Sequence, residues 1–303
     1  MAEARGQHSG PSSIRSARSV RSAHSPASSE FRAPASTCHT SKVSLHGPRW
    51  ADDHYPLIET VHLETVPESV AKTHAAFWVA RQMAQIHNTI IRALNASWNH
   101  SVSVESGTEE AADFLFFNQL IFRLLRHHHL SEDHFLFPAI EKLLDHPGIM
   151  EDNTKGHDSF ADGLAVFEKY VFVTKPDEYN GRTLRHIIET VAPNLIQHLH
   201  DEIPTLVGLH VLNSDQLMKV WREAECMATK DQDLYTDIPF ILGCQDKRFL
   251  IDGEKGSFPN LPWIREALVR RWHARKCAGV WKFCPSDLHG RRRLLSRGRT
   301  IPT

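Results

Sequence analysis

HHHLSEDHFLFPAIE, residues 127–141, decides how the chain is read. Within it His128 and Glu132 stand four residues apart, and Pro138 follows. On a helix, positions i and i+4 stack on one face, so an imidazole and a carboxylate point the same way. The spacing returns at His198 and Glu202, inside NLIQHLHDEIPTL at 194–206. Two such pairs on separate helices supply two nitrogens and two oxygens to one place.

Outward from those pairs, apolar residues recur at steps of three and four. A first helix carries Ala80, Met83, His87, Ile90 and Leu94, with start chemistry expected at Pro67, Glu68 and Ser69. A second, from about Ala111, carries Phe114, Phe117, Ile121, Leu124, His128, Glu132 and Phe135. A third carries His157, Phe160, Leu164, Phe167 and Val171. A fourth carries Leu184, Ile188, Val191, Leu195, His198, Glu202 and Leu209, with Pro193 and Pro204 as expected kinks. Breakers separate them: Ser101 to Gly107, Pro147 with Gly148, and TKPDEYNG at 174–181. The pattern predicts an all-α protein, an antiparallel up-down four-helix bundle.

A lone histidine in an apolar seam is more often a satisfied core residue than a ligand. Here every seam holds one, and two seams add a glutamate. Burying an ionised carboxylate costs several kcal/mol unless it is paired or binds metal. None of the four seams offers a Lys or Arg to pair with it. His87, His128, Glu132, His157, His198 and Glu202 are therefore the candidate metal ligands. Mixed nitrogen and oxygen donors without thiolate suit iron, manganese or zinc. Two carboxylates able to bridge, with two histidines for each ion, describe a dinuclear site. Ferritin-like bundles use Glu-x-x-His on two helices instead, the reverse order.

HNTI at 87, HHLSEDHFLFPAIE at 128, HDSF at 157 and HLHDEIPTL at 198 resemble the hemerythrin-like (HHE cation-binding) domain family. The likeness covers roughly 60–212, and the region after it is similar to the C-terminal part of fungal members. The resemblance implies two non-haem iron ions bridged by Glu132, Glu202 and an oxo or hydroxo group, with His87, His128, His157 and His198 as terminal ligands. It also implies a small partner such as oxygen, peroxide or another diatomic. Oxygen-carrying hemerythrins place two histidines on the third helix, at i and i+4. Here the positions one turn either side of His157 are Asn153 and Ala161. One terminal position is thus expected to be open, or filled by water or a neighbour such as His129 or Asp133. His127, His129 and His134 lie about 100° or more off the seam and read as surface or supporting groups, as does His200. Asp158 is a candidate to orient His157.

Length, charge and cysteine bound the rest. The 303 residues have a formal net charge of −1, unevenly laid out. Residues 1–46 carry +4 and 264–303 carry +9, leaving about −14 on 47–263. An acidic middle suits cations and argues against nucleic acid. Cysteines at 38, 226, 244, 277 and 284 form no CxxC pair, as in a reducing compartment. No apolar run reaches the ~20 residues of a transmembrane helix. The expected layout is a disordered Arg/Ser-rich tail at 1–48, the bundle at 60–212, a C-terminal cap at 213–290 and a solvated basic tail at 291–303. The expected location is cytoplasmic. An acid-poor, Arg- and Ser-rich start also fits a mitochondrial transit peptide, but Ile14 and Val20 make a poor apolar face. The helix expected at 263–276, basic with Leu268 and Trp272 on its apolar side, is read as packed in the cap. The other reading is a membrane-surface or partner-binding helix.

Two function classes follow: a di-iron module that senses, buffers or handles oxygen, peroxide or iron, or a di-iron oxidase or peroxidase using the open coordination position.

Overall fold

The computed structural model describes residues 50–251, 254–255 and 258–295. The tail expected at 1–48 lies outside them, as do 296–303 of the basic end. Helices α1 (Ala75–His100), α2 (Glu109–Ser131), α4 (Glu151–Val173) and α5 (Gly181–Gly208) form the bundle. Each packs on two others, in the closed order α1–α2–α4–α5. Start signals match local chemistry. Thr108 Oγ1 accepts from Ala111 N–H (3.1 Å), and Asn180 Oδ1 from Arg182 and Thr183 N–H (3.1 Å each). Two N-terminal acids, Glu109 and Glu110, complement the α2 dipole.

α1 begins later than Pro67. Turns occupy the intervening residues, and His74 caps the helix by accepting from Ala76 N–H (3.1 Å). The helix start is docked rather than free: Ala75 N–H donates to Ser214 Oγ (2.9 Å) at the next connection. The lead-in segment then runs back along α1. Asn88 receives Ile58 N–H and Asn95 receives Tyr55 N–H (2.8 Å each), while Asn99 donates to Ala51 O (3.0 Å). Asparagines at those spacings keep an extended strap satisfied without a sheet.

α2 continues through one π-helical turn, Glu132–Leu136, into α3 (Phe137–Leu144). Pro138, one residue past the wide turn, has no N–H to give the carbonyl four residues back, and Phe137 N–H reaches Glu132 O, five back. The extra residue shifts the seam. Phe135, expected inside, is 43% exposed, while Leu136 and Phe137 are buried instead. α5, by contrast, runs unbroken through Pro193 and Pro204.

Beyond the bundle come α6 (Ser214–Thr229), α7 (Asp237–Cys244), a hairpin of two-residue strands β1 (Leu250–Ile251) and β2 (Glu254–Lys255), and α8 (Trp263–Arg271). Trp221 packs edge-on against Trp78, and Phe240 and Phe283 close over Phe117 and Phe114. α8 departs from the expected packed cap. Val269 is its one buried residue, against Ile238 and Leu242, Arg270 Nε donates to Leu288 O (2.9 Å), and Leu268, Trp263 and Trp272 face solvent. Residues 291–295 also differ from a solvated tail. Arg292 binds Asp52 and Asp53 and lies over Trp50, and Ala51 N–H donates to Arg293 O (3.0 Å). Among the described residues, no helix is long and apolar enough to cross a membrane.

The apolar core of the bundle is divided in two. Ile90, Leu125, Phe160 and Leu199 belong to one cluster, and Met83, Leu136, Met150 and Ile203 to another. On each bundle helix, the candidate ligands fall between a residue of one cluster and a residue of the other. The bundle thus has a polar waist with greasy ends.

Candidate metal centre

At that waist the helices deliver buried imidazoles and carboxylates. His87 and Glu202 are fully buried, and Glu132, His128, His157 and His198 are nearly so. His87 Nδ1 meets Leu199 O at 2.7 Å, so it donates there and Nε2 presents a lone pair inward. His87 Nε2 lies 3.1 Å from His128 Nε2 and 3.4 Å from Glu202 Oε2. His128 Nε2 lies 3.3 Å from Glu132 Oε1, and His157 Nε2 is 3.5 Å from Glu132 Oε2. His198 Nε2 is 4.0 Å from Glu202 Oε2.

Two ligands held at right angles about 2.1 Å from one ion are about 3 Å apart, so these separations fit shared coordination. The two oxygens of Glu132 also face different histidines, as a bridging carboxylate does. All six residues of the sequence reading thus share one chamber. Their ligand atoms group as His87, His128, Glu132 and Glu202 on one side, and as His157 and His198 on the other.

The second group also contains His129, which the sequence reading gave as a surface or supporting group and, alternatively, as a filler of the open position. His129 is buried, and its ring centre lies 4.2 Å from that of His157, tilted, and 5.7 Å from that of His198, edge-on. Adjacent positions on a helix differ by about 100°, and a bundle helix faces two neighbours, so both of a consecutive pair can point inward. His127 and His134 are exposed, and His127 meets Ala228 O at 2.6 Å. Asp158 is exposed too. The carboxylate on His157 Nδ1 is Asp133, at 2.9 Å. The sequence reading named Asp133 as a neighbour able to fill an open metal position, whereas here it stands behind the His157 ring.

Gly156 was also unread. A Cβ there would strike His198 Nδ1, so the absent side chain lets α4 approach α5 at the site. A lone glycine inside a helical pattern was the available signal.

Electrostatics sharpen the picture. Burial, then Glu202 and Asp133, push Glu132 far above the usual carboxylate range. Burial works against Glu202 as well, but His87, His198 and His157 outweigh it and hold its carboxyl below that range. Burial and neighbouring imidazoles push His128 and His129 down, and burial brings His198 to about 4. Neutral imidazoles with bare nitrogens are the form that binds metal. The Nε2 atoms of His129, His157 and His198 and both oxygens of Glu132 and Glu202 are buried without a hydrogen-bond partner. Orphaned polar atoms cost about 1–3 kcal/mol each, and a cation satisfies all of them at once. The donor set fits a metal.

A helical bundle with a buried His/Glu chamber defines a metal-binding protein, and comparison places it. A family model of the hemerythrin HHE cation-binding domain matches residues 79–208. The chain is 34% identical over 223 residues to dimeric xanthone biosynthesis cluster protein R11 of Cryptosporiopsis sp. (strain 8999), spanning 74% of this chain and 84% of that one. No solved structure matches significantly. The chain belongs to the hemerythrin HHE cation-binding domain family.

Proposed function

We propose that the chain holds two iron ions and uses them to sense, buffer or handle oxygen, peroxide or iron. His87 and His128 serve one ion, His157 and His198 the other, and Glu132 and Glu202 span both. The observation that carries the reading is the convergence of buried, unpartnered nitrogens and carboxylate oxygens at the waist. Iron in such a set supplies reversible redox and binding of small ligands. The residues around it have their own tasks. Leu199 O and Asp133 fix ring orientation from behind, and the two apolar clusters exclude water from either end.

The experiment is metal analysis of aerobically purified full chain, with its near-ultraviolet spectrum. About two irons per chain are expected. His128→Ala and His198→Ala should lower iron sharply, and His134→Ala should leave it unchanged. Equal loss in all three variants, or zinc in place of iron, would overturn the assignment.

An enzymatic reading, a di-iron oxidase or peroxidase, is favoured by one finding: the relative's name ties that protein to a biosynthesis cluster. Turnover of peroxide with a reductant by the iron-loaded chain supports it. No turnover leaves the binding module.

A further inference from the structure

We propose that His129 is a fifth imidazole ligand, completing a three-histidine set with His157 and His198. The proposal rests on the dinuclear reading above and goes beyond its six ligands. The ligand atoms of His129, His157 and His198 all lie within 4.8 Å of one another. His129 is 7% exposed, and its Nε2 is buried with no hydrogen-bond partner. A histidine kept only for packing would leave that nitrogen unmet, and an aromatic hydrocarbon would fill the space without the penalty. Phe160 packs 5.3 Å from the ring and shows that the surroundings accept one.

The helix geometry separates the two neighbours. His128 joins the group of His87, Glu132 and Glu202, whereas His129, about 100° further round, joins His157 and His198. One helix therefore serves both ions through consecutive residues and Glu132. The terminal position expected to be open, where α4 carries Asn153 and Ala161 in place of a second histidine, is supplied from α2 instead. The two ions become unequal: one faces three imidazoles and the other faces two.

A pair of substitutions in the full chain separates ligation from packing. His129→Phe keeps a ring and removes the nitrogen; His129→Glu removes the ring and keeps a donor. Iron per chain and chelator competition are measured for both, with helical circular dichroism as the check on folding. The parent is expected to hold two ions. The Phe variant should keep one and bind the second at least about tenfold more weakly. The Glu variant should return towards two. Two ions held at parental affinity by His129→Phe would overturn the ligand role while leaving the dinuclear reading intact. A Glu variant as weak as the Phe variant would also overturn it. A parent that never exceeds one ion overturns the dinuclear reading itself. Should the Phe variant lose its helical signal, His129→Gln takes its place with the same readings.

Discussion

At the scale of the residue, the site depends on atoms that touch no ligand position. His157 presents Nε2 to the chamber because Asp133 engages Nδ1 at 2.9 Å from behind. That contact is partly exposed, so its contribution to folding is small, but it fixes tautomer and ring direction. Asp133→Asn should therefore leave helical content and melting nearly unchanged and weaken metal binding about 10- to 100-fold. Chelator competition checks it, and parental affinity in the variant would make Asp133 a bystander. The same reasoning explains why the sequence reading named His129 and Asp133 only as alternative fillers of an open position and not among the six ligands. A seam drawn through steps of three and four assigns one face per helix. His128 and Glu132 fall on it, and the residues immediately after each of them do not. In a bundle the inward wedge is wider than a stripe, and a π turn widens it further.

The elements themselves were legible where apolar spacing was regular. All five seam residues from Ala80 to Leu94 are buried, and so are those of α5 from Leu184 to Glu202. Periodicity failed at Phe135, because it assumes 3.6 residues per turn and the π turn at Glu132–Leu136 departs from that. It failed at α8 for another reason: an apolar face does not say whether anything covers it, and Leu268 and Trp272 are uncovered. The π turn invites a test of what holds it. If Pro138 alone imposed the wide turn, Pro138→Ala would let the helix tighten and rotate the residues beyond. Against that stands the burial of Leu136, Phe137 and Ile140, all at 2% or less exposure. Each buried side chain of that size contributes about 1.5–3 kcal/mol, so the three together exceed the about 1–3 kcal/mol that one strained position costs. Pro138→Ala should therefore keep register, with iron content equal to the parent's. A variant that folds but loses iron would show that the proline, not the core, sets the direction of Glu132.

At the scale of the whole molecule, the uneven charge of the sequence has a structural use. The basic end lies partly against the acidic middle, and Asp52 is the junction. Its carboxylate accepts from Arg92 Nε on α1 (2.7 Å) and from Arg292 Nε near the C-terminal end (2.9 Å). Arg92 is buried and also donates to Cys244 O (2.9 Å), Gln245 O and Ser286 Oγ (2.7 Å), tying α7 and the C-terminal segment to the bundle. Cys244 and Cys284, 4.0 Å apart, are both unoxidised beside it. Burial alone would raise the Asp52 carboxyl, but the two arginines outweigh it and hold it below the usual range. The sign follows. A carboxyl lowered on folding adds stability that is complete above its unfolded value, about 3.9, and is lost as pH falls through the lowered native value. Asp52→Asn removes that charge, leaving the Arg92 guanidinium buried without an anion. Breaking such a pair costs about 3–5 kcal/mol, reduced here by the three acceptors that Arg92 keeps. Near pH 7 the variant should therefore melt well below the parent. The gap should persist down to about pH 5, narrow as pH falls below the unfolded value of about 3.9, and close only past the lowered native value, where the parent protonates the same oxygens. A gap that stays constant to pH 3 would mean that shape, and not charge, makes Asp52 the latch.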